Sequence, residues 1–124
     1  MKARSLDHVV LEVGDPERSL DFYVGVLGLE PERADLFRAG KVPFVSVRAG
    51  GSLIDLFPKA NPGPGPNHLC VEVDASPEEV VGELTLRGVS FERPGRRFGA
   101  QGDGFSVYVR DPDGHEVEVR TYRA

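Results

Sequence analysis

Two stretches of the chain decide its fold: residues 8–33 read HVVLEVGDPERSLDFYVGVLGLEPER, and residues 68–93 read HLCVEVDASPEEVVGELTLRGVSFER. They align without a gap at an offset of 60 residues. The positions that are identical in both copies are His8 and His68, Glu12 and Glu72, Val13 and Val73, Gly28 and Gly88, Glu32 and Glu92, and Arg33 and Arg93. Such a repeat indicates one supersecondary unit that is built twice. We therefore predict two related modules.

The first copy combines the signals of a strand and of a capped helix. Residues alternate in polarity over about residues 6–13, which predicts a strand with His8 on the face turned away from the helix. Asp15 and Pro16 suit the N-cap and the first helical position. Gly28 suits a left-handed end of the helix. The apolar stripe of this predicted helix comprises Leu20, Tyr23, Val24 and Leu27.

The second copy repeats this logic with a capping box formed by Ser76, Pro77 and Glu79. Its predicted helix carries Val80, Val81 and Leu84 on the apolar side and ends at Gly88. Three strand-like runs follow each helix. They are residues 29–33, 42–48 and 52–57 in the first half, and 89–93, 105–110 and 115–120 in the second. Turns at Gly50-Gly51 and at the DPDG sequence of residues 111–114 suit hairpins.

Each half therefore reads β-α-β-β-β, and the fold class is α+β. The segment 58–66, PKANPGPGP, is predicted to be an extended linker because its prolines and glycines alternate without a core residue. We expect a module at residues 1–57, the linker at 58–66 and a second module at 67–124, together forming a single domain over 1–124.

The composition is that of an ordinary globular protein, with 124 residues of which 40% are hydrophobic and 28% charged. A net charge of −5 disfavours binding to nucleic acid and to anionic membranes. Cys70 is the only cysteine, which excludes an internal disulfide and suits a reducing compartment. No signal peptide and no apolar run of membrane-spanning length is recognisable. We expect a soluble, cytoplasmic protein.

Chemistry is predicted on the sheet face that does not pack on a helix. Alternation places His8 and His68 there on the first strand of each module, and Asp55 and Glu118 there on the last strand. Two imidazoles and two carboxylates suit a first-row divalent ion that keeps open positions for water or substrate. The alternative is that the repeat preserves histidine for packing. For Asp55 three roles stay open: direct ligation, holding a metal-bound water, or orienting a ligand.

The paired β-α-β-β-β modules, the histidine on the first strand of each, and the run YVRDPDGHEVEV resemble the vicinal oxygen chelate superfamily, which includes glyoxalase I, bleomycin-resistance proteins, fosfomycin-resistance transferases, methylmalonyl-CoA epimerase and extradiol dioxygenases. The resemblance covers essentially the whole chain. It implies a glyoxalase-like fold, in which the two modules form a curved, cleft-bearing mixed sheet or half-barrel, and a homodimer. It also implies His8, His68 and Glu118 as ligands of iron, manganese, nickel, cobalt or zinc, with Asp55 at the place of a fourth ligand.

The resemblance further implies a metal-dependent enzyme acting on a small substrate that chelates the metal through neighbouring oxygens. Lyase or isomerase, thiol transferase and dioxygenase chemistry stay open. Glu118 and Asp55 are candidate bases, and Tyr108 matches the active-site tyrosine of the fosfomycin transferases and is a candidate donor to an anionic intermediate. The alternative is a bleomycin-resistance-like protein that sequesters a small molecule without catalysis.

Other residues on the same face are predicted to line the substrate cavity: Phe44, Ser46, Arg48, Cys70, Ser106, Arg110 and Glu116. Cys70 is expected to be a small buried residue rather than a reactive one. The glycine-rich segment 94–104, PGRRFGAQGDG, is predicted to be a loop, either mobile at the surface or closing over a substrate. His115, at the turn, is expected to have a structural role.

Overall fold

A computed structural model describes residues 1–26, 28–110, 112 and 114–124. The described residues form two compact units. The first unit comprises His8–Asn67, and the second comprises Met1–Asp7 together with His68–Ala124. The division falls inside the first strand, so the first seven residues belong with the second half of the chain.

The strands are β1 (Ala3–Val13), β2 (Glu30–Glu32), β3 (Val45–Ala49), β4 (Ser52–Pro58), β5 (Pro66–Val73), β6 (Glu92–Gly99), β7 (Gly102–Arg110) and β8 (Glu116–Thr121). The helices are α1 (Pro16–Leu20), α2 (Ala34–Arg38) and α3 (Pro77–Leu86), with a π-helical segment over Asp21–Val26 that continues α1. The β-α-β-β-β order predicted for each half is confirmed, with α2 as an addition to the first.

In the first unit the strand order is β2-β3-β4-β1. Strand β1 runs parallel to β4, with Val10 opposite Asp55, and β3 runs antiparallel to β4, with Ser46 opposite Asp55. One face of this sheet packs under α1 and the π-helical segment. The buried core on that face comprises Leu20, Val45, Val47 and Leu56. The other face therefore carries Val10, Ser46 and Asp55, as the alternation predicts.

The second unit repeats this arrangement. Its strand order is β5-β8-β7-β6, with the start of β1 beside β5. Strand β5 runs parallel to β8, with Cys70 opposite Glu118, and β7 runs antiparallel to β8, with Tyr108 opposite Glu118. Helix α3 packs through Val80 and Leu84, and the core beneath it comprises Val73, Ala75, Val107 and Val119.

Both helices begin as the sequence predicts. The Asp15 carboxylate accepts hydrogen bonds from the backbone N–H groups of Glu17 and Arg18 at 3.0 and 3.4 Å. Ser76 and Glu79 form the reciprocal capping box, with distances of 3.2 and 3.0 Å. Gly28 and Gly88 follow the two helices with φ of 75° and 69°, the left-handed conformation that glycine adopts without steric cost.

The first helix differs from the prediction in its second half. Residues 21–26 are π-helical rather than α-helical. Val24, Gly25 and Val26 lie in this segment, and β-branched residues and glycine are weak α-helix formers. Leu27, predicted on the apolar stripe, lies outside the described residues, as do Asp111 and Asp113 of the predicted DPDG turn. Gly114, the last residue of that turn, has φ of 86°.

The largest error concerns residues 89–104. The sequence predicts a strand over 89–93 and then a loop, but the structure has strand β6 over Glu92–Gly99, paired with β7. Glycine content suggested a loop. Two of the glycines instead clear space for buried side chains, because a Cβ on Gly99 would lie 2.6 Å from Cζ of Arg120, and one on Gly104 would lie 2.8 Å from the backbone oxygen of Thr121.

Smaller differences lie at the ends of elements. Strand β1 begins at Ala3 rather than near residue 6, β3 begins at Val45 rather than 42, and β7 begins at Gly102 rather than 105. Strand β8 covers Glu116–Thr121 rather than residues 115–120. Helix α2 occupies a stretch between two predicted strands. It is only five residues long, too short to show a helical period in the sequence.

The repeat extends to backbone conformation. Arg33 and Arg93, which share one position of the repeat, both adopt positive φ, at 63° and 50°. A residue other than glycine rarely adopts this conformation. Each guanidinium lies over an aromatic ring, Arg33 at 4.9 Å from the centroid of Phe44 and Arg93 at 3.9 Å from that of Tyr108. Cation–π contact offsets part of the conformational cost.

The glycines yield a matched pair of stability tests. We expect Gly104→Ala to lower the free energy of unfolding by about 1–3 kcal/mol, because its methyl group would overlap the backbone of β8. Gly82→Ala, inside α3 with no heavy atom within 4 Å of the added Cβ, should raise it by about 0.5–1 kcal/mol. Urea unfolding of both variants measures the difference. Equal effects at the two positions would contradict the close packing of β7 on β8.

Candidate functional site

In the first unit, His8 on β1 and Asp55 on β4 form a buried pair. Their exposed fractions are both 3%, and Nε2 of His8 lies 3.8 Å from Oδ2 of Asp55. Ser46 on β3, also fully buried, donates its hydroxyl to Oδ1 of Asp55 at 2.6 Å. Three strands therefore position one imidazole and one carboxylate on the face opposite the helix. The structure brings His8 and Asp55 together as the sequence predicts.

The second unit contains a matching pair, His68 on β5 and Glu118 on β8. Nε2 of His68 lies 3.2 Å from Oε1 of Glu118, which is 1% exposed. In the first unit Val10 pairs with Asp55 across the strands, and in the second Cys70 pairs with Glu118. In both units the histidine lies two residues before that pairing position. The two pairs thus occupy equivalent places, although Asp55 and Glu118 are not separated by the repeat's offset of 60 residues.

The two pairs fit a metal ion to different degrees. Ligand atoms that are each about 2.1 Å from one ion lie about 3.0–3.4 Å apart at right or tetrahedral angles. The 3.2 Å between His68 and Glu118 falls in this range, while the 3.8 Å between His8 and Asp55 is longer. Imidazole nitrogen and carboxylate oxygen are both ligands of first-row divalent metals. The second pair therefore fits direct ligation by both of its members, and the first fits it less closely.

Tyr108 on β7 completes the surroundings of Glu118. Its hydroxyl donates to Oε1 of Glu118 at 3.1 Å, and its ring meets that of His68 edge-on, with centroids 5.4 Å apart. Arg93 and Arg97 lie over the Tyr108 ring, at 3.9 and 5.1 Å from its centroid. Burial, and then the negative charge of Glu118, raise the pKa of Tyr108 well above its usual value. The phenol is therefore held as a proton donor.

Glu116 lies on the outer side of His68. One carboxylate oxygen of Glu116 is 3.9 Å from Nδ1 of His68, which is an ion-pair distance beyond hydrogen-bond length. The same carboxylate accepts from Arg93 and lies 3.6 Å from Arg110. Glu116 therefore places a second negative charge beside the imidazole of His68.

Sequence reasoning missed a second layer, centred on Arg120. This side chain is fully buried on β8, and its Nε and Nη2 atoms lie 3.2 and 3.1 Å from Oε2 of Glu118. Burial alone would lower the pKa of Arg120, but the charge of Glu118 keeps it above its usual value. Asp7 lies 3.9 Å from Nε of Arg120 and accepts the hydroxyl of Tyr122 at 2.5 Å. The available signal was alternation, which places Arg120 on the face of Glu118.

The remaining predicted cavity residues have separate partners. Phe44 stacks on Phe57 with centroids 5.8 Å apart, and Arg48 pairs with Glu32. Ser106 accepts a hydrogen bond from Arg97 at 3.0 Å. Cys70 is fully buried, as expected for a small core residue, and Arg110 is exposed and donates to the Gly114 backbone at 3.1 Å. His115 is exposed on the described surface.

A cavity of about 300 Å³ opens beside Tyr108 within the second unit. Its lining comprises Val89, Ser90, Glu92, Tyr108, Val109, Arg110 and Glu116. Three of the residues predicted to face the substrate, Tyr108, Arg110 and Glu116, therefore border a cavity whose volume suits a small ligand.

Fold and paired histidine–carboxylate groups together point to one class of protein. Residues 5–119 match the Glyoxalase/Bleomycin resistance protein/Dioxygenase superfamily, and the chain belongs to it. Virulence protein STM3117 of Salmonella typhimurium is 34% identical over 94% of this chain and 83% of its own length. A lactoylglutathione lyase of Neisseria meningitidis is 30% identical over 90% of this chain and 86% of its own length.

Comparison with solved structures gives the same fold. A catechol 2,3-dioxygenase, 19% identical, superposes with a TM-score of 0.72 over 98% of this chain and 42% of the enzyme. The predicted glyoxalase-like fold is confirmed.

Among the helices of the described residues, none has the length and apolar character needed to cross a membrane.

The buried phenols make stability depend on alkaline pH. Burial raises the pKa of Tyr108 and of Tyr122. The hydrogen bond to Asp7 raises the pKa of Tyr122 further. A tyrosine whose pKa is higher in the folded than in the unfolded chain stabilises the folded state below a pH of about 10, the pKa of the unfolded chain. This stabilisation is lost as the pH rises above that value. Urea unfolding between pH 8 and 11 should show this loss, and Tyr108→Phe and Tyr122→Phe should each reduce its slope. Slopes equal to that of the wild type would contradict this account.

Proposed function

We propose that this protein is a metal-dependent enzyme acting on a small substrate that binds the metal through neighbouring oxygens. One observation carries the proposal: each unit holds a histidine–carboxylate pair at the same place on its sheet, with both members buried in the first unit and a half-buried histidine beside a buried carboxylate in the second. Withdrawing a carboxylate from water costs free energy that its partners must offset. The occurrence of this pair twice, in a chain of this superfamily, favours a shared chemical role.

In this proposal His8, His68 and Glu118 hold the ion, and Asp55 is a fourth ligand or orients one. The ion is iron, manganese, nickel, cobalt or zinc, since imidazole and carboxylate suit all of these. When bound, it supplies Lewis-acid stabilisation of charge that develops on a substrate oxygen. What the chain itself contributes is position, proton donors and proton acceptors.

Tyr108, Asp55 and Glu118 are the proposed groups for proton movement. The Tyr108 hydroxyl, 3.1 Å from Glu118, lies where it can donate to an anionic substrate oxygen that binds beside that carboxylate. Asp55 accepts from the neutral hydroxyl of Ser46, while Glu118 is bound by the cationic Arg120. Asp55 and Glu118 are both candidates to accept a proton, and the guanidinium of Arg120 anchors Glu118.

The reaction type is proposed at the level of the superfamily. The relative named lactoylglutathione lyase, at 30% identity, supports a lyase or isomerase reaction as the first to test. Thiol transfer and oxygen chemistry are the other candidates within this proposal. A protein that sequesters a small molecule without catalysis is the alternative, and the cavity beside Tyr108 would suit that role.

We further propose that the enzyme is a cytoplasmic homodimer. The dimer follows from the resemblance to this superfamily, and the location from the single reduced cysteine, Cys70. Light scattering should give twice the chain mass of 13.5 kDa. A mass of one chain at micromolar concentration would contradict the dimer.

Metal binding is the direct test of the proposed enzyme. Protein stripped of metal with a chelator, freed of the chelator and then titrated with Zn²⁺ by calorimetry should bind one ion per chain. His68→Ala should weaken binding by at least about 100-fold, more than the loss of an orienting partner costs. His115→Ala is the matched control, because this histidine is exposed and belongs to neither pair.

Two results would contradict the proposal. If the wild type binds no divalent ion and still retains a small ligand, the protein belongs to the sequestering alternative. If His115→Ala weakens binding as strongly as His68→Ala, the ion occupies a site other than the proposed one.

A further inference from the structure

Arg120 is a fully buried arginine that contacts a proposed metal ligand. We propose that Arg120 is a positioning residue that makes Glu118 a one-oxygen ligand, with Oε2 held by the guanidinium and Oε1 presented to the metal. This inference rests on the proposed function, because it assigns the coordination mode of one of its ligands.

The two oxygens of Glu118 have different surroundings. Oε2 lies 3.2 Å from Nε and 3.1 Å from Nη2 of Arg120. A carboxylate oxygen has about two lone-pair sites, so two N–H donors from one guanidinium engage both. Oε1 instead lies 3.2 Å from Nε2 of His68 and 3.1 Å from the hydroxyl of Tyr108. Oε1 is therefore the oxygen that shares its surroundings with a second ligand.

The guanidinium itself is held in place from the opposite side. Its Nη1 donates to the backbone oxygen of Arg97 at 2.9 Å, and its Nη2 donates to that of Phe98 at 2.9 Å. Both carbonyls belong to β6, the strand in the segment predicted to be a loop. Arg120 thus joins the backbone of β6 to one oxygen of Glu118, and a rotation of the carboxylate would break both of its bonds to the guanidinium.

Two glycines border the guanidinium of Arg120 closely. A Cβ on Gly99 would lie 2.6 Å from Cζ of Arg120, and one on Gly104 would lie 3.0 Å from its Nη1. The planar guanidinium occupies the space that these two glycines leave. Lysine cannot reproduce the contact, because its ammonium is a point charge that lacks the planar fork of donors.

Infrared spectroscopy measures the coordination mode directly. One-oxygen coordination widens the separation between the antisymmetric and symmetric carboxylate stretches, and two-oxygen coordination narrows it. We would record Zn²⁺-bound minus Zn²⁺-free spectra of protein labelled with ¹³C at glutamate carboxylates, which separates Glu118 from Asp55. The wild type should show the wide separation. Arg120→Lys should show a narrower one and bind Zn²⁺ about 10–100-fold more weakly in calorimetry.

Tyr122→Phe is the matched control. It perturbs the same buried network through Asp7, to which the Tyr122 hydroxyl donates at 2.5 Å, but it leaves the contact between Arg120 and Glu118. Its spectrum and affinity should equal those of the wild type. If Arg120→Lys does not fold, Gly99→Ala replaces it, because the added methyl group would overlap the guanidinium without removing its charge. The same methyl group would lie 2.5 Å from the Tyr122 hydroxyl, an effect for which Tyr122→Phe controls.

The outcomes separate the two proposals. Absence of any Zn²⁺-dependent carboxylate change in the wild type overturns the proposed function. Zn²⁺ binding with a narrow separation in the wild type overturns the role of Arg120 alone. A folded Arg120→Lys variant with the band separation and Zn²⁺ affinity of the wild type also overturns that role. A Tyr122→Phe variant that changes the separation and the affinity as Arg120→Lys does overturns it as well.

Discussion

The buried charge of Glu118 constrains much of the second unit. A carboxylate at 1% exposure is costly unless cations and hydrogen-bond donors surround it, and three strands supply these. His68 comes from β5, Tyr108 from β7 and Arg120 from β8 itself. Arg120, buried in turn, requires carbonyl groups from β6. The groups that offset the charge of Glu118 therefore come from every strand of the second unit's sheet between β5 and β6. Gly99 and Gly104 border Arg120 because its guanidinium occupies the space that they leave.

The first unit holds a second buried carboxylate at the equivalent place. Asp55 occupies the place of Glu118 and accepts the hydroxyl of Ser46 at 2.6 Å. Duplication therefore preserved the position of a histidine and a carboxylate while their surroundings diverged.

Much of this architecture was predictable because its signals are local. Asp15 and Ser76 mark helix starts through caps that need only neighbouring residues, and strand alternation placed His8 and His68 on the correct face. The repeat then supplied a second, independent copy of each signal. Asp55 and Glu118 followed from alternation on strands whose register could be counted from the adjacent hairpin turns.

What the sequence did not reveal depends on contacts between distant residues. The glycines of β6 and β7 have the composition of a loop, and only the position of Arg120 shows that they make room for a side chain. Arg120 itself has the appearance of a solvated strand end. Asp7 meets Tyr122 across 115 residues of sequence, a contact that no local pattern indicates.

The proposal on which the rest depends is that His8 and His68 ligate the same metal ion. X-ray absorption spectroscopy of the Zn²⁺-loaded protein tests it most directly, because imidazole rings produce a characteristic scattering pattern that can be counted. The account predicts two imidazoles in the wild type and one in each of His8→Ala and His68→Ala. A zinc coordination shell with a single imidazole in the wild type would contradict the proposal. A wild-type shell that neither His8→Ala nor His68→Ala changes would contradict it too.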